Sequence, residues 1–369
     1  MVPSKKEHLR VAVVGAAAGV FSSHRPGLEL PEVELVAVTD INSEAGQQRA
    51  REQGCAFYAD AHEMLEQEHP DIVVIMTPHP FHARIAIDSL RAGSHVLVEK
   101  PMAVQVAEAD MMIETAAQHE RLLGVVFQQR FRSEIRTART LIQQGKLGDI
   151  QRVELTASWT RPASYFKQAP WRGTWAGEGG GILINQAAHN LDILCSLVGV
   201  PQRVYAWNRR LLHRIETEDT AHALLEYANG ALGFLHISTA ESDEAERLKI
   251  VGTGGRLEIR QGILSLRELK TDLKDFVVTS PSPYAAPASH EVQVEYEAGQ
   301  GTHTEVYRAF YDALLHGTPF PSTGEEGRKS LELANSLIYS HYTHSEVTLP
   351  LDRQKYAALL TGLKERHIS

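Results

Sequence analysis

A chain of 369 residues is too long for one ordinary hydrophobic core, so two domains are expected. Its 43% hydrophobic and 22% charged content excludes an extended disordered chain, and a formal net charge of −9 speaks against a nucleic-acid surface, which needs clustered positive charge. Cys55 and Cys195 stand far apart and suggest neither a disulfide framework nor a metal site, and no run reaches the ~18 apolar residues of a membrane span. The polar start, Met1 to Arg10, lacks an apolar signal segment, so a cytoplasmic protein without membrane partners is expected.

Leu9 to Val14 is a short β-branched run that enters a small-residue turn, Gly15-Ala16-Ala17-Ala18-Gly19, and Val33 to Val38 is a second run that ends at Asp40. A dinucleotide-binding unit needs this order: small residues let the backbone approach a pyrophosphate, the next helix N-terminus stabilises its charge, and an acid after the second strand accepts the ribose hydroxyls. The G-x-G-x-x-G template laid on Gly15 finds Ala17 and Val20 in place of its other glycines. Either Ala17 meets the pyrophosphate or an altered turn brings Gly19 there. Asp40 repels a 2′-phosphate and so favours NAD over NADP, although a simple strand-end Asp reads the same way.

Alternation then continues. Helices are expected over Ser43 to Gln53, Ala61 to Glu68, His82 to Ala92 and Val106 to His119. Strands are expected over Asp71 to Met76, a continuous apolar run as in a parallel sheet buried on both faces, and over His95 to Val98 and Leu122 to Phe127. This is a doubly wound α/β sheet, and ligands bind outside the carboxyl ends of its strands. Thr77-Pro78 with His82, and Glu99-Lys100-Pro101, stand at such ends. The first domain is placed at residues 1–130. The basic run of Arg130, Arg132, Arg136 and Arg139 reads as a solvated face.

The second domain, 131–369, opens with a helix from Ser133 to Gln144 and an alternating strand from Ile150 to Trp159. A long loop follows, Thr160 to Gly181, with Tyr165, Phe166, Lys167, Trp171, Arg172 and Trp175. Loops of this length are usually functional, and aromatic faces suit the C–H face of a sugar ring while Arg172 or Lys167 donates to hydroxyls. An Ω-loop pinned by its own aromatics is the plainer alternative. Gly179-Gly180-Gly181 read as flexible, leading to a helix that carries Asn185, His189 and Asp192 on one polar stripe turned to a cleft, with Leu191, Leu194 and Val198 in the core; a helix whose His and Asp merely face water reads the same way. With Ile150 to Trp159, about six strands are expected, and Asn229-Gly230 marks a hairpin. Residues 270 to 300 read as a variable excursion. His303 opens the helix Thr304 to His316, positioned to reach a cleft or to cap; a helix from Arg328 to His344 and a strand from Val347 to Leu351 close the chain.

Taken in order, the Rossmann start, Thr77-Pro78 with His82, Glu99-Lys100-Pro101, the triple glycine with His189 and Asp192, and Gly252-Thr253-Gly254-Gly255 resemble the Gfo/Idh/MocA family, named for glucose-fructose oxidoreductase and inositol dehydrogenase. The resemblance covers nearly the whole chain. It implies a Rossmann NAD(P) domain followed by an α/β domain with an open, mostly antiparallel sheet that often joins copies into a dimer or tetramer. It also implies that Lys100 lies near nicotinamide and the reacting carbinol, and that His189 is the acid/base. Many relatives carry Asp four residues before that His; Asn185 cannot take a proton at neutral pH, which shifts proton transfer onto His189 and Lys100.

The expected activity is hydride transfer between NAD and a ring carbinol of a sugar, glycoside or cyclic polyol. Expected cofactor contacts are Gly15, Ala17, Gly19, Asp40, Thr77, Pro78, His82, Glu99 and Lys100. Expected substrate contacts are Asn185, Asp192, Trp171, Arg172, Tyr165 and His303. An NAD-recycling glycoside hydrolase, with Tyr165 or His303 as the extra base, is the first alternative; a non-catalytic dinucleotide sensor is the second.

Overall fold

The computed structural model describes residues 8–242 and 244–365, with the backbone alone at 244 and 245. Most of the polar start, residues 1–7, lies outside the described residues. The chain divides into two compact units. The first holds Met1–Phe131 with Ala176–Gly179 and Gly301–Leu331; the second holds Arg132–Trp175, Gly180–Gln300 and Glu332–Ser369.

The first unit alternates β1 (Leu9–Val14), α1 (Phe21–Leu28), β2 (Val33–Thr39), α2 (Ser43–Gln53), β3 (Ala56–Tyr58), α3 (Ala61–Glu68), β4 (Ile72–Ile75), α4 (His82–Arg91), β5 (His95–Glu99), α5 (Val106–Gln118) and β6 (Leu123–Val126). The strands form one parallel sheet in the order β3-β2-β1-β4-β5-β6. Val73, Val74, Val96 and Leu97 are 0% exposed, as burial of a parallel sheet on both faces requires. The helices stop where local chemistry stops them: Asn42 caps α2 through Ala45 N, and Gly54 ends it in the left-handed region.

In the second unit α6 (Ser133–Gln143), β7 (Ile150–Ser158) and the short turns α7 (Ala163–Phe166) and α8 (Trp175–Glu178, shared with the first unit) precede α9 (Ala188–Val198). The meander β8 (Arg203–Arg209), β9 (Thr220–Glu226), β10 (Leu232–Ser238), β11 (Glu244–Gly252), β12 (Gly255–Arg260) and β13 (Ile263–Leu269) leads to α10 (Leu273–Thr279) and β14 (Ser289–Val292). The C-terminal part runs through α11 (His303–His316), α12 (Gly324–Thr343), β15 (Val347–Thr348) and α13 (Arg353–Lys364). Nine strands join in the order β14-β13-β12-β11-β7-β10-β9-β8-β15, antiparallel except for β7 with β10. Beyond the expected six strands, the short closing strand expected from Val347 is β15 at the sheet edge, whereas β13 and β14 extend the sheet unexpectedly, and the excursion at 270–300 holds α10 and β14. One face of β9 buries Ala221, Ala223 and Leu225, while the other face carries Leu224 and, on neighbouring strands, Trp207 and Leu232, exposed by 52%, 41% and 61%.

Two expectations about polarity fail. Arg130 is not solvated: its side chain is buried over the Phe127 ring and donates to Pro321 O at 2.5 Å. Nor is α9 a two-faced helix. Asp192 is as buried as Leu191 and Leu194, because the helix is enclosed on nearly every side.

Candidate active site

The turn after β1 is built around Gly15. Its φ of 92° is left-handed, and a Cβ there would lie 2.9 Å from both Met76 C and Thr77 N, so only glycine fits against the loop that follows β4. Gly15 and Ala16 both donate their N–H to Thr39 O, which ties the turn to the end of β2. Asp40 continues that tie: Oδ2 accepts Ala17 N–H at 2.8 Å and Oδ1 accepts Asn42 N–H at 2.8 Å. The Ala17 N–H is therefore committed to Asp40 within the turn. Gly19 has open space where a side chain would be, next to an α1 start that has neither a side-chain cap nor an acidic residue in its first turn.

These features fit a dinucleotide. An uncapped helix start favours an anion, and the bare Gly19 allows it to approach the backbone. The Asp40 carboxylate has about four lone-pair sites and spends two on the backbone, so it retains capacity for ribose hydroxyls.

At the carboxyl end of β5, Glu99 is 8% exposed and engaged on both oxygens. Oε2 accepts the backbone N–H of Lys100 at 3.1 Å, and Oε1 lies 2.9 Å from Nε2 of His24 and 3.6 Å from Nε2 of His303. The other nitrogen of His24 meets the Tyr307 hydroxyl at 2.8 Å. Burial opposes ionisation of Glu99, but His24 and His303 outweigh it and hold the carboxyl well below the usual range. His303 thus joins a carboxylate–imidazole cluster, and His24 was not foreseen. Among the described residues, His24, Glu99 and His303 form the one group of three such ligand atoms lying within 4.8 Å of one another. They come from α1, β5 and α11, so no local spacing announces them.

Thr77 and Pro78 sit on the neighbouring loop after β4, and His82 opens α4. His82 is 0% exposed, with Nδ1 2.8 Å from Pro101 O and Nε2 2.6 Å from Thr77 O. Both ring nitrogens are therefore occupied by the chain itself.

In the second unit the glycines are packed rather than flexible. A Cβ on Gly181 would strike the Glu218 carbonyl oxygen, and one on Gly180 would strike Ile184. Glu218 also binds the segment through hydrogen bonds: its Oε1 accepts Gly181 N–H at 2.9 Å and Leu183 N–H at 3.2 Å, and its carbonyl accepts Ile182 N–H at 3.0 Å. Asn185 lies in the turns that precede α9, 6% exposed, and the half-buried His189 opens the helix one residue after its start.

The aromatic loop has internal structure. Arg172 donates to the Tyr165 hydroxyl at 2.7 Å, and its guanidinium stands 4.5 Å from the Tyr165 ring centre and 4.7 Å from that of Trp171. Gln186 donates to the same hydroxyl at 3.2 Å. Phe166 lies 4.7 Å from the His213 ring, and His213 in turn spans Asp219 Oδ2 at 3.1 Å and Arg161 O at 2.7 Å. Tyr165, Trp171 and Arg172 are one pinned platform, held directly by Gln186 and, through Phe166 at 5.2 Å and the Arg161 guanidinium at 5.3 Å from the Tyr165 ring, backed by His213 and Asp219; the sequence singled out none of Gln186, His213 and Asp219 for that task.

Residues 9–127 match the family described as "Oxidoreductase family, NAD-binding Rossmann fold", and residues 135–258 match the "GFO/IDH/MocA C-terminal domain". The chain belongs to the Gfo/Idh/MocA family of oxidoreductases. Within this family it is 22% identical to the myo-inositol 2-dehydrogenase of Thermotoga maritima over 88% of this chain and 94% of that protein. It is 30% identical to the D-glucoside 3-dehydrogenase of Escherichia coli over 63% of this chain and 70% of the other. Matches to several other curated oxidoreductases span 60% of their length. Among solved structures, the WlbA dehydrogenase from Bordetella pertussis, in complex with NADH and UDP-GlcNAcA, is similar with a TM-score of 0.82 at 28% identity, covering 95% of this chain and 100% of that one. The Gfo/Idh/MocA protein described here therefore carries an NAD-binding Rossmann domain and an α/β domain built on a mostly antiparallel sheet. No described helix is long and apolar enough to cross a membrane.

Proposed function

We propose that this protein is a dehydrogenase acting on a ring carbinol of a sugar, glycoside or cyclic polyol, with NAD preferred to NADP. The observation that carries the reading is the Lys100 turn, held by the ionised Glu99 at the carboxyl end of a buried Rossmann strand. The relatives named for myo-inositol and D-glucoside oxidation support the substrate class.

A bound nicotinamide dinucleotide supplies the hydride acceptor. His189 accepts the proton of the reacting hydroxyl, and the Lys100 ammonium stabilises the negative charge that develops on its oxygen. Asn185 holds a neighbouring hydroxyl by hydrogen bonding, and Asp192 orients the imidazole and the ring. Tyr165 and Trp171 present aromatic faces to the C–H side of the ring, with Arg172 between them as the hydroxyl donor. His303, on Glu99, serves the charge balance behind Lys100 rather than the substrate. Asp40 repels a 2′-phosphate and accepts ribose hydroxyls. The apolar outer face of the nine-stranded sheet suits association with a second copy.

The test is incubation of the purified protein with NAD and a panel of pyranoses, inositols and aryl glycosides, with NADH and released aglycone both followed. NADH formed in proportion to one class of substrate is the expected result. Aglycone released without net NADH would replace this reading with the NAD-recycling hydrolase, and tight NAD binding without turnover in either direction would favour a sensor.

A further inference from the structure

We infer that His82 is an imidazolium in the folded protein and acts as a positioning residue, clamping the Lys100–Pro101 turn to the Thr77 loop. Its two ring nitrogens lie 2.8 Å from Pro101 O and 2.6 Å from Thr77 O, and a peptide carbonyl can only accept. A neutral imidazole has one N–H. In either neutral tautomer, a nitrogen lone pair would face a carbonyl lone pair at hydrogen-bond distance in a ring that is 0% exposed.

The forces on the ring oppose one another. Burial pushes its pKa down and Lys100 adds to that, whereas the two carbonyls and the Glu99 carboxylate favour the cation. Burial is the largest single influence and the net direction it gives is downward. Geometry outweighs it here, because the penalty for burying an imidazolium is offset by two short charge-assisted bonds and by a buried anion nearby. The remaining titratable neighbour, His79, has its ring centre 5.9 Å away and turns Nδ1 to Glu178 O at 3.4 Å.

The consequence is a grip on Lys100 from both sides. Its own N–H is held by the Glu99 carboxylate, and the carbonyl of the next residue is held by His82. A cation and an anion thus fix backbone groups of two consecutive residues around the side chain that must meet the reacting oxygen. The effect on turnover rests on the role proposed for Lys100; the protonation state does not.

The experiment has two independent arms. Protein labelled with ¹⁵N in its histidine rings is compared with His82→Asn by long-range proton–nitrogen correlation. The signals missing from the variant should show both nitrogens protonated from about pH 6 to about pH 9, where an ordinary His of pKa about 6.5 has lost its charge. A neutral-tautomer pattern anywhere in that window would overturn the inference. If His82→Asn does not fold, neutron diffraction of deuterium-exchanged wild-type crystals gives the same answer, with density on both ring nitrogens expected and on one alone fatal. In the second arm, His82→Gln should lower kcat at least 10-fold while the Kd for NAD changes less than about 3-fold, as loss of Lys100 positioning requires. A variant that loses NAD affinity but keeps kcat would show that His82 serves the cofactor loop alone. If Lys100→Ala proves fully active, the reading of Lys100 fails while the first arm still decides the charge of His82.

Discussion

The ring of Tyr307 occupies the space that a side chain at Gly27 would need. A Cβ built on Gly27 falls on Cδ2 and Cγ of that ring, which is fully buried and bound through its hydroxyl to His24. This close approach joins α1 to α11 and explains why residues 301–331 belong with the Rossmann unit. Replacing Gly by Ala inside a helix ordinarily gains about 1 kcal/mol, but overpacking a rigid core costs about 1–3 kcal/mol. Gly27→Ala should therefore lower the urea midpoint. The loss should shrink when it is combined with Tyr307→Ala, because the two changes share one contact; additive losses would show that the ring is not the obstacle.

Asp40 binds Ala17 N–H and Asn42 N–H, so it shapes the turn in addition to the ribose contact proposed for it. Asp40→Ala should weaken NAD binding by about 10-fold or more and affect NADP less, through loss of a charge-assisted acceptor worth about 1.5–3 kcal/mol. Titration of both cofactors followed by fluorescence measures the ratio. An unchanged NAD-to-NADP preference would remove Asp40 from the specificity argument.

For Glu99 the sign of the pH effect is determined. Its folded pKa is held below the unfolded value of about 4.3, so its contribution to stability is present above that pH and lost as pH falls through the folded pKa. Chemical unfolding measured from about pH 7 down to about pH 3 should show this decline, and Glu99→Gln should be less stable at neutral pH with a shallower acid limb. Equal acid slopes in the two proteins would contradict the pairing with His24 and His303.

Asp219 holds three consecutive N–H groups, those of Leu211, Leu212 and His213, and also lies against the His213 ring. Burial opposes its charge, but the N–H groups outweigh burial and keep the carboxyl below its ordinary value, so this contribution too disappears as pH falls. Asp219→Ala should destabilise the protein by about 2–4 kcal/mol and raise KM more than it lowers kcat, because His213 and Arg161 anchor the aromatic platform. Denaturation curves and steady-state kinetics on the same variant separate the two effects.

Lys100→Ala should reduce turnover by about 100-fold or more with NAD binding nearly intact, and His189→Ala should do the same while shifting the alkaline optimum, as loss of a general base requires. Wild-type turnover in either variant would remove that residue from the mechanism.

The sequence by itself determined the parallel sheet, the Gly15 turn, Asp40, and Glu99-Lys100 at a strand end. Each is a local pattern: a buried parallel strand is apolar throughout, and a tight turn leaves only glycine a place. Hydrogen bonding between distant segments was not legible. His24, Glu99 and His303 lie far apart along the chain and meet only because α1 and α11 close on β5. The triple glycine read as flexible, yet Gly179 packs on Val104, Gly180 on Ile184 and Gly181 on Glu218, since a missing side chain looks the same whether it allows motion or contact. Likewise the sequence reads Arg130 as solvated and Asp192 as turned to a cleft, and only tertiary packing decided that both are buried, because a charge goes inside when the fold supplies its partners.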